Sequence, residues 1–292
     1  MPRPAYIAAY AAVVFVAYAG WLLAGPADPS TAKVVINLVS IGVVAVAAVI
    51  AGLAAHSARG RMRIAWLVLT VGLVGAIVGE SLWAYDKLRW GSSPFPSAAD
   101  FAYLMFPVGL CVALLLFPTR RSPQVQSRLL MDGIVMAGSL LIVSWLTLMK
   151  PAYQSFKGGR LELLASLAYP VVNMVTFTVA AVVLARAGRG QRLMLSVLAL
   201  GVACMTLVES VFAYLHVDDA FYGRGHYLLD ISWTAGVLLV TVAVAQGGRA
   251  SFHERAGDEM PGWVSVWLPF LPLMLAGLAI AAQQPGLLAD GP

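Results

Sequence analysis

The sequence predicts an all-α membrane protein: a polytopic helical bundle of nine spans, with two parallel four-helix repeats followed by one extra C-terminal span. Three observations predict this fold class. Apolar residues make up 60% of the 292 residues, charged residues 11%, and the mean hydropathy is +0.83, which is more apolar surface than a soluble domain of this size buries. The apolar runs are long and continuous, without the alternation of a membrane β-strand. Finally, the two halves of the chain resemble each other.

The spans follow from the thickness of a bilayer. About 20 consecutive apolar residues cross the hydrocarbon core as a helix. The runs that meet this criterion predict spans at residues 5–25, 34–55, 64–85, 101–117, 129–149, 163–184, 193–215, 228–245 and 263–281.

Basic residues in the loops predict the orientation. Alternate loops, counted from the N-terminus, hold twelve Lys and Arg residues, and the opposite loops hold seven. Because cytoplasmic loops carry the excess of positive charge, we expect a multi-pass protein of the cell inner (plasma) membrane with a cytoplasmic N-terminus. The formal charge of +5 is explained by these loops, so the lipid bilayer is the predicted partner and nucleic acid is not.

The two halves match at a constant spacing. Arg63 and Arg192 are as far apart in the chain as Glu80 and Glu209. Asp100 and Asp230 match at nearly the same separation. The unit is four spans long, and an even number of crossings returns the chain to the same side. The copies must therefore run parallel, unlike the inverted repeats of many transporters.

The repeat predicts four regions. Residues 1–125 form the first four-helix repeat and 126–246 the second; 247–262 form a cytoplasmic linker, and 263–292 form the ninth span with an outer tail. The turn-rich tail resembles a loop between spans, so we expect the chain to be truncated and a tenth span to follow residue 292.

A carboxylate recurs inside matched spans. Glu80 and Glu209 each lie about five residues before the predicted outer end of a span, roughly 7–8 Å along the axis. A carboxylate facing lipid is costly, so both should face the bundle interior. Tyr85 and Tyr214 follow at matched positions, which predicts two similar half-sites. Two explanations stay open: a site for a ligand, an ion or protons, or hydrogen bonds that hold the bundle together.

Three aspartates have different local explanations. Ser97 and Asp100 have the spacing of a capping box, which by itself explains Asp100. Asp230, its counterpart, has no hydroxyl at the matching position, which favours an interior role. Asp132 lies one turn into the fifth span, four residues after Arg128, where a structural role is favoured.

Other chemistry is not indicated. The loop from His216 to His226 mixes histidines and acids but matches no metal-ligand spacing, and we predict no metal and no cofactor. Cys111 and Cys204 lie in apolar runs, where a thiol acts as a small hydrophobe. No nucleophile elbow or phosphate-binding loop is found, so no catalytic residue is predicted.

Several ordered patterns carry a family resemblance. The runs PFPSAADFAYLMFPVGLCVALLLFP, RLLMDGIVMAGSLLIVSWLTLMKP, ESVFAYL and LDISWTAGVLLV resemble the N-terminal membrane region of actinobacterial cyclic-di-GMP signalling proteins. In that family a helical bundle precedes cytoplasmic GGDEF (diguanylate cyclase) and often EAL (phosphodiesterase) domains. The likeness covers roughly residues 30–245, and the matching residues are Pro94, Pro96, Ser97, Asp100, Asp132, Trp145, Glu209, Asp230 and Trp233.

The resemblance implies a sensor domain for signal transduction. No GGDEF or EAL domain lies within these 292 residues, so whether the parent protein is an enzyme is left open. We expect an outward-facing polar pocket that senses a small ligand, an ion or protons, in a chain that dimerises. The predicted ligand-binding residues are Glu80, Tyr85, Asp100, Glu209, Tyr214, Asp230 and Trp233. The alternatives are a small-molecule transporter of drug/metabolite-exporter size and a non-catalytic membrane scaffold.

Overall fold

A computed structural model describes most of the chain up to residue 248. The described residues are 3–26, 28–90, 95–117, 131, 135–139, 141–143, 145, 153, 159–185, 187, 189–215 and 224–248. Within them the secondary structure is helical, and no residue is in a strand.

Seven long helices make up this structure. They are α1 (Pro4–Ala24), α2 (Pro29–Ser57), α3 (Gly60–Trp90), α4 (Ala98–Leu116), α5 (Arg160–Ala185), α6 (Arg189–Leu215) and α7 (Arg224–Gly247). All seven are long and apolar enough to cross a membrane, which confirms the prediction of a helical membrane protein. The predicted fifth span is described only at scattered positions, and the predicted ninth span, linker and tail (249–292) lie outside the described residues.

The largest difference from the predicted boundaries is in α3. This helix extends to Trp90, five residues past the predicted end of its span. Glu80 therefore lies ten residues from the helix end, about 15 Å along the axis, and not five. The apolar run stops earlier because the last turns carry Asp86 and Arg89, and hydropathy marks the membrane core but not the end of a helix that continues into the interface.

Local hydrogen bonds define several helix ends. Asp28 caps α2: its carboxylate accepts hydrogen bonds from the hydroxyl groups of Ser30 and Thr31 (both 2.6 Å) and from their backbone N–H groups. These bonds, those from the hydroxyls first, hold the pKa of Asp28 well below its usual range. At the C-terminal end of α4, the Arg61 guanidinium donates to the Leu115 carbonyl at 3.2 Å, where a cation also complements the helix dipole.

The helices pack in two similar groups. In the first, α3 packs against α2 and α4; in the second, α6 packs against α5 and α7. The groups meet where α2 and α1 contact α7 and where α4 contacts α5. The larger of two apolar cores in the described residues, made mostly of small side chains, runs through these contacts. Within it the Trp66 ring packs edge-to-face on Phe117, with ring centroids 5.2 Å apart.

Glycine pairs bring two of these helix crossings very close. A Cβ atom at Gly72 of α3 would lie 2.8 Å from the Met105 carbonyl oxygen, and one at Gly109 of α4 would lie 3.2 Å from the Gly72 Cα. The crossing of α6 and α7 is similar, because a Cβ at Gly201 would lie 2.8 Å from the Gly236 carbonyl oxygen. Small residues at an interface allow membrane helices to approach closely.

The outer surface is apolar, as a lipid-facing surface must be. Val13 and Val16 of α1, for example, are each 68% exposed. Exposed apolar side chains of this size occur on every helix. In water such a surface would be unfavourable, so contact with the lipid of the bilayer explains these side chains.

Candidate functional site

Glu80 is buried inside the bundle. Its side chain on α3 is only 7% exposed, and it forms a hydrogen bond with the Tyr103 hydroxyl from α4. Glu209 of α6 is partly buried and interacts electrostatically with Glu80. The two acids that the sequence analysis assigned to matched spans therefore lie in one interior site.

The residue before Glu80 explains how Tyr103 reaches it. A Cβ atom at Gly79 would lie 2.9 Å from the Cγ and Cδ2 atoms of the Tyr103 ring and 3.0 Å from the Ala99 carbonyl oxygen. Only glycine leaves room there, so the ring packs directly on the α3 backbone. From this position its hydroxyl meets the adjacent Glu80 carboxylate.

Asp100 has two roles. The capping box predicted from the sequence is present: the Asp100 Oδ2 accepts a hydrogen bond from the Ser97 backbone N–H at 2.7 Å. Its other oxygen, Oδ1, accepts a hydrogen bond at 2.9 Å from the Tyr169 hydroxyl of α5. Asp100 thus caps α4 and also joins α4 to α5.

Asp230 lies on α7 and is partly buried. It acts electrostatically on the Tyr18 hydroxyl of α1, and so does Glu80. Thr234, one turn after Asp230, lies beside the same hydroxyl. Tyr18 is 4% exposed and Thr234 is fully buried, and the two hydroxyls lie within hydrogen-bonding reach of each other.

These contacts form one continuous group. Tyr103 also interacts electrostatically with Tyr169 and Glu209, and Tyr169 with Glu209. We name the group the acid–tyrosine cluster, which comprises Tyr18, Glu80, Asp100, Tyr103, Tyr169, Glu209, Asp230 and Thr234. It joins side chains from six of the seven helices, all except α2.

A layer of polar side chains continues from the cluster along α5. Asn173 donates to the Tyr169 carbonyl at 3.1 Å. The Thr176 hydroxyl donates to the Pro107 carbonyl of α4 at 3.1 Å, and the Thr206 hydroxyl of α6 donates to the Asn173 carbonyl at 3.3 Å. These bonds hold α4, α5 and α6 together beneath the cluster.

The other predicted ligand-binding residues lie elsewhere or are not described. Tyr85 is 59% exposed on α3, because five residues after Glu80 the side chain points away from the interior face. Trp233 is partly buried and packs on the hydrophobic core. The side chain of Tyr214, residues 216–223 and Asp132 lie outside what the structure describes.

Sequence reasoning missed four members of the cluster, Tyr18, Tyr103, Tyr169 and Thr234. For Tyr169 a signal existed, since Tyr169, Asn173 and Thr176 are spaced to share one face of a helix within an apolar run. The other three have no such pattern. In the described ranges, no group of three His, Cys, Asp or Glu side chains has a geometry that could hold a metal ion. Both cysteines are free thiols.

Comparisons with protein-family models, with curated proteins and with solved structures find no match for this chain.

Proposed function

We propose that this chain is the membrane-embedded input module of a cyclic-di-GMP signalling protein. The acid–tyrosine cluster is its responsive site, which takes up a ligand, an ion or protons and passes the change to a cytoplasmic output domain. The single observation that carries the proposal is the burial of Glu80 inside the bundle, within electrostatic reach of Glu209. Ionisable groups inside a membrane are costly to keep, and they usually mark a functional site.

The proposed repeat is supported by the packing of the helices. The starts of α3 and α6, at Gly60 and Arg189, are as far apart in the chain as the close-crossing glycines Gly72 and Gly201. In the proposed repeat α2 corresponds to α5, and α4 corresponds to α7. The contact of α2 with α7 therefore has the contact of α5 with α4 as its counterpart, and both contacts are present. This is the pattern expected of parallel repeats related by a two-fold axis near the membrane normal.

The cluster offers a physical basis for a response. Two neighbouring carboxylates repel each other in a medium of low dielectric constant, unless a proton or a cation neutralises one of them. Glu80 and Glu209 are on different halves, so gain or loss of the neutralising charge changes the force between α3 and α6. A stimulus acts as a signal only if it binds two such arrangements unequally.

The output side of the proposal comes from the family resemblance and from the charge of the loops. The excess of basic residues favours a cytoplasmic position for the N-terminus and for the linker after α7, and the cytoplasm is where GGDEF and EAL domains act. In this orientation Glu80 and Glu209 lie in the outer half of their helices and face a stimulus from outside.

A scaffold role has specific support at one position. Asp100 is fully used in the capping box and in its bond to Tyr169, and both interactions stabilise the bundle. Asp100 therefore fits a structural clamp better than a sensing group, and the sensing role falls on Glu80 and Glu209.

The test compares Glu80→Gln and Glu209→Gln variants with the wild type in lipid nanodiscs. Hydrogen exchange of the α3 and α6 amides is followed between pH values on either side of neutrality, and cyclic-di-GMP is measured in cells that express the natural gene product. We expect a pH-dependent change of exchange in the wild type, its loss in either variant, and a fixed level of cyclic-di-GMP in the variants.

The matched control is Ser81→Ala, because Ser81 is next to Glu80 but is exposed and donates its hydrogen bond to its own helix, at the Ile77 carbonyl. It should respond like the wild type. Unchanged pH dependence in both glutamine variants would refute the sensing role. Loss of folding in both would instead establish the scaffold role.

A further inference from the structure

Three exposed arginines lie together at one end of the bundle, where α1, α3 and α6 begin and the other helices end. They are Arg59, Arg61 and Arg63, in and just after the turn from α2 to α3. In the described part of the chain, no Asp or Glu lies within two turns of the helix ends on this side. The turn therefore presents a concentrated positive charge, to which the positive end of the α3 dipole adds.

These guanidinium groups are available to a ligand. Arg61 donates through one nitrogen to the Leu115 carbonyl of α4 at 3.2 Å, which fixes its position and leaves its other N–H groups unused by that bond. Arg59 and Arg63 make no such bond to the described residues. Arginine binds phosphate oxygens through two parallel hydrogen bonds, so the turn suits a phosphate group at the membrane surface.

A groove between α3 and α4 runs from these arginines into the membrane. Exposed apolar side chains recur at helical spacing along both helices, from Ile64 to Val78 on α3 and from Leu115 to Phe101 on α4. The groove contains a cavity of about 270 Å³, lined by Thr70, Val71, Val74, Val78, Ala102 and Met105. The Thr70 hydroxyl donates to the Trp66 carbonyl at 2.7 Å, so the cavity presents apolar surface to its occupant.

The arginines flank the mouth of this groove. Arg63 is followed at helical spacing by Leu67, Thr70 and Val74, which places it on the face of α3 that lines the cavity. Arg61 lies on the other side, where it is bonded to α4. A molecule with an anionic head and an apolar chain can therefore contact both features at once.

The depth of the cavity fits one leaflet of a bilayer. Thr70 and Val78 follow Arg63 by seven and fifteen residues, roughly 10–22 Å along the helix axis. The hydrocarbon of one leaflet is about 15 Å deep, half of the membrane core. An acyl chain whose headgroup lies at the arginines would thus end in the cavity.

We propose that Arg59, Arg61 and Arg63 bind the headgroup of an anionic phospholipid, with one of its acyl chains in the α3–α4 groove. Charge selects the headgroup, because phosphatidylglycerol has a net negative charge, whereas the choline of phosphatidylcholine neutralises its phosphate. The proposal does not depend on the acid–tyrosine cluster or on its sensing role.

The second group of helices differs at the matched position. In the proposed repeat Arg192 of α6 corresponds to Arg63, but Arg192 is partly buried, and its Nε donates to the Ala187 carbonyl at 3.0 Å. Its guanidinium thus contributes to the packing of its own chain, and the lipid site belongs to α3 and α4.

The experiment is native mass spectrometry of the purified protein in detergent, titrated with dioleoyl phosphatidylglycerol and with dioleoyl phosphatidylcholine. The two lipids have the same acyl chains, so their difference reports the headgroup. We expect phosphatidylglycerol to bind about tenfold more tightly or better. Arg59→Gln and Arg63→Gln should each weaken its binding about fivefold, and the double variant about 25-fold, with phosphatidylcholine binding unchanged.

Two controls are matched to the variants. Arg89→Gln removes an exposed arginine at the opposite end of the same helix and should bind both lipids like the wild type. Val74→Trp fills the cavity and should weaken binding of both lipids. Val16→Trp adds the same indole at an exposed position of α1 and should have no effect.

Equal binding of the two lipids, or wild-type binding of phosphatidylglycerol by the double variant, would overturn the proposal. Displacement of the lipid by inorganic phosphate at millimolar concentration would indicate a site for free anions and would overturn it as well. Unchanged lipid binding by Val74→Trp would refute the placement of the acyl chain. A dimer that excludes the lipid and is lost in Val74→Trp would assign the groove to a second copy of the chain instead.

Discussion

Replacing Gly72 or Gly201 with alanine should separate the helices at the two close crossings. The added Cβ atom would meet the Met105 carbonyl oxygen at 2.8 Å in the first case and the Gly236 carbonyl oxygen at 2.8 Å in the second. Both obstacles are backbone atoms, which cannot move aside by changing a rotamer. The helices themselves must therefore shift.

The magnitude follows from two opposing effects. Overpacking an interior costs about 1–3 kcal/mol, while alanine in place of glycine within a helix contributes about 0.5–1 kcal/mol of stability. Gly42 of α2 provides the control, because a Cβ atom there would meet nothing within 4 Å. Gly42→Ala should therefore be neutral or stabilising. The helix contribution of alanine is common to both variants, so Gly201→Ala should lie below Gly42→Ala by the overpacking cost, about 1–3 kcal/mol.

The assay is thermal melting of the purified variants in one detergent, followed by far-UV circular dichroism or by the loss of monomer on size exclusion. With about 2–4 °C per kcal/mol for a chain of this order of size, we expect Gly72→Ala and Gly201→Ala to melt roughly 2–12 °C below Gly42→Ala. Equal melting temperatures for all three variants would show that the crossings are not as close as described, and would remove the packing argument for similar halves.

Two further predictions concern hydrogen bonds at helix ends. Tyr169→Phe removes the 2.9 Å bond to the Asp100 carboxylate, so it should cost about 1.5–3 kcal/mol, while the exposed Tyr6→Phe costs nothing measurable; similar melting of the two variants would contradict the clamp role of Asp100. Asp28→Ala removes the cap of α2 and should lower the melting temperature at pH 7. Because the pKa of Asp28 is lowered in the folded state, its stabilisation is present at neutral pH and is lost as the pH falls through that lowered pKa. The difference between Asp28→Ala and wild type should therefore shrink in acid, and a difference that grows would contradict this sign.

The membrane character of the fold could be predicted from composition, because each segment that crosses the bilayer must itself be apolar over its length. Seven of the predicted spans coincide with helices of the structure, each set by a local property, a run of about 20 apolar residues. Their ends were predicted less well. α3 continues to Trp90, since backbone hydrogen bonding does not stop where hydropathy falls.

The candidate site was only partly accessible to sequence reasoning. Glu80 and Glu209 stand out because a carboxylate in an apolar run is costly and needs an explanation. Tyr85 was predicted from its matched position with Tyr214 in the repeat, but it is 59% exposed, since a matched position in the sequence does not show which face of the helix meets the bundle. Tyr18 and Thr234 belong to the site only because α1 packs against α7, and the sequence does not show which helices are neighbours.

The sequence by itself determined that the chain is a bundle of membrane helices, that seven of its segments are helices long and apolar enough to cross a membrane, and that two of its acids require an interior position. Only the tertiary structure decided which helices are neighbours. It therefore also decided that two acids far apart in the chain interact and that tyrosines from other helices lie near them. The physical reason is that partition into a bilayer depends on each segment alone. The neighbours of a buried carboxylate depend on how closely every pair of helices can approach, which here is set by glycines such as Gly79.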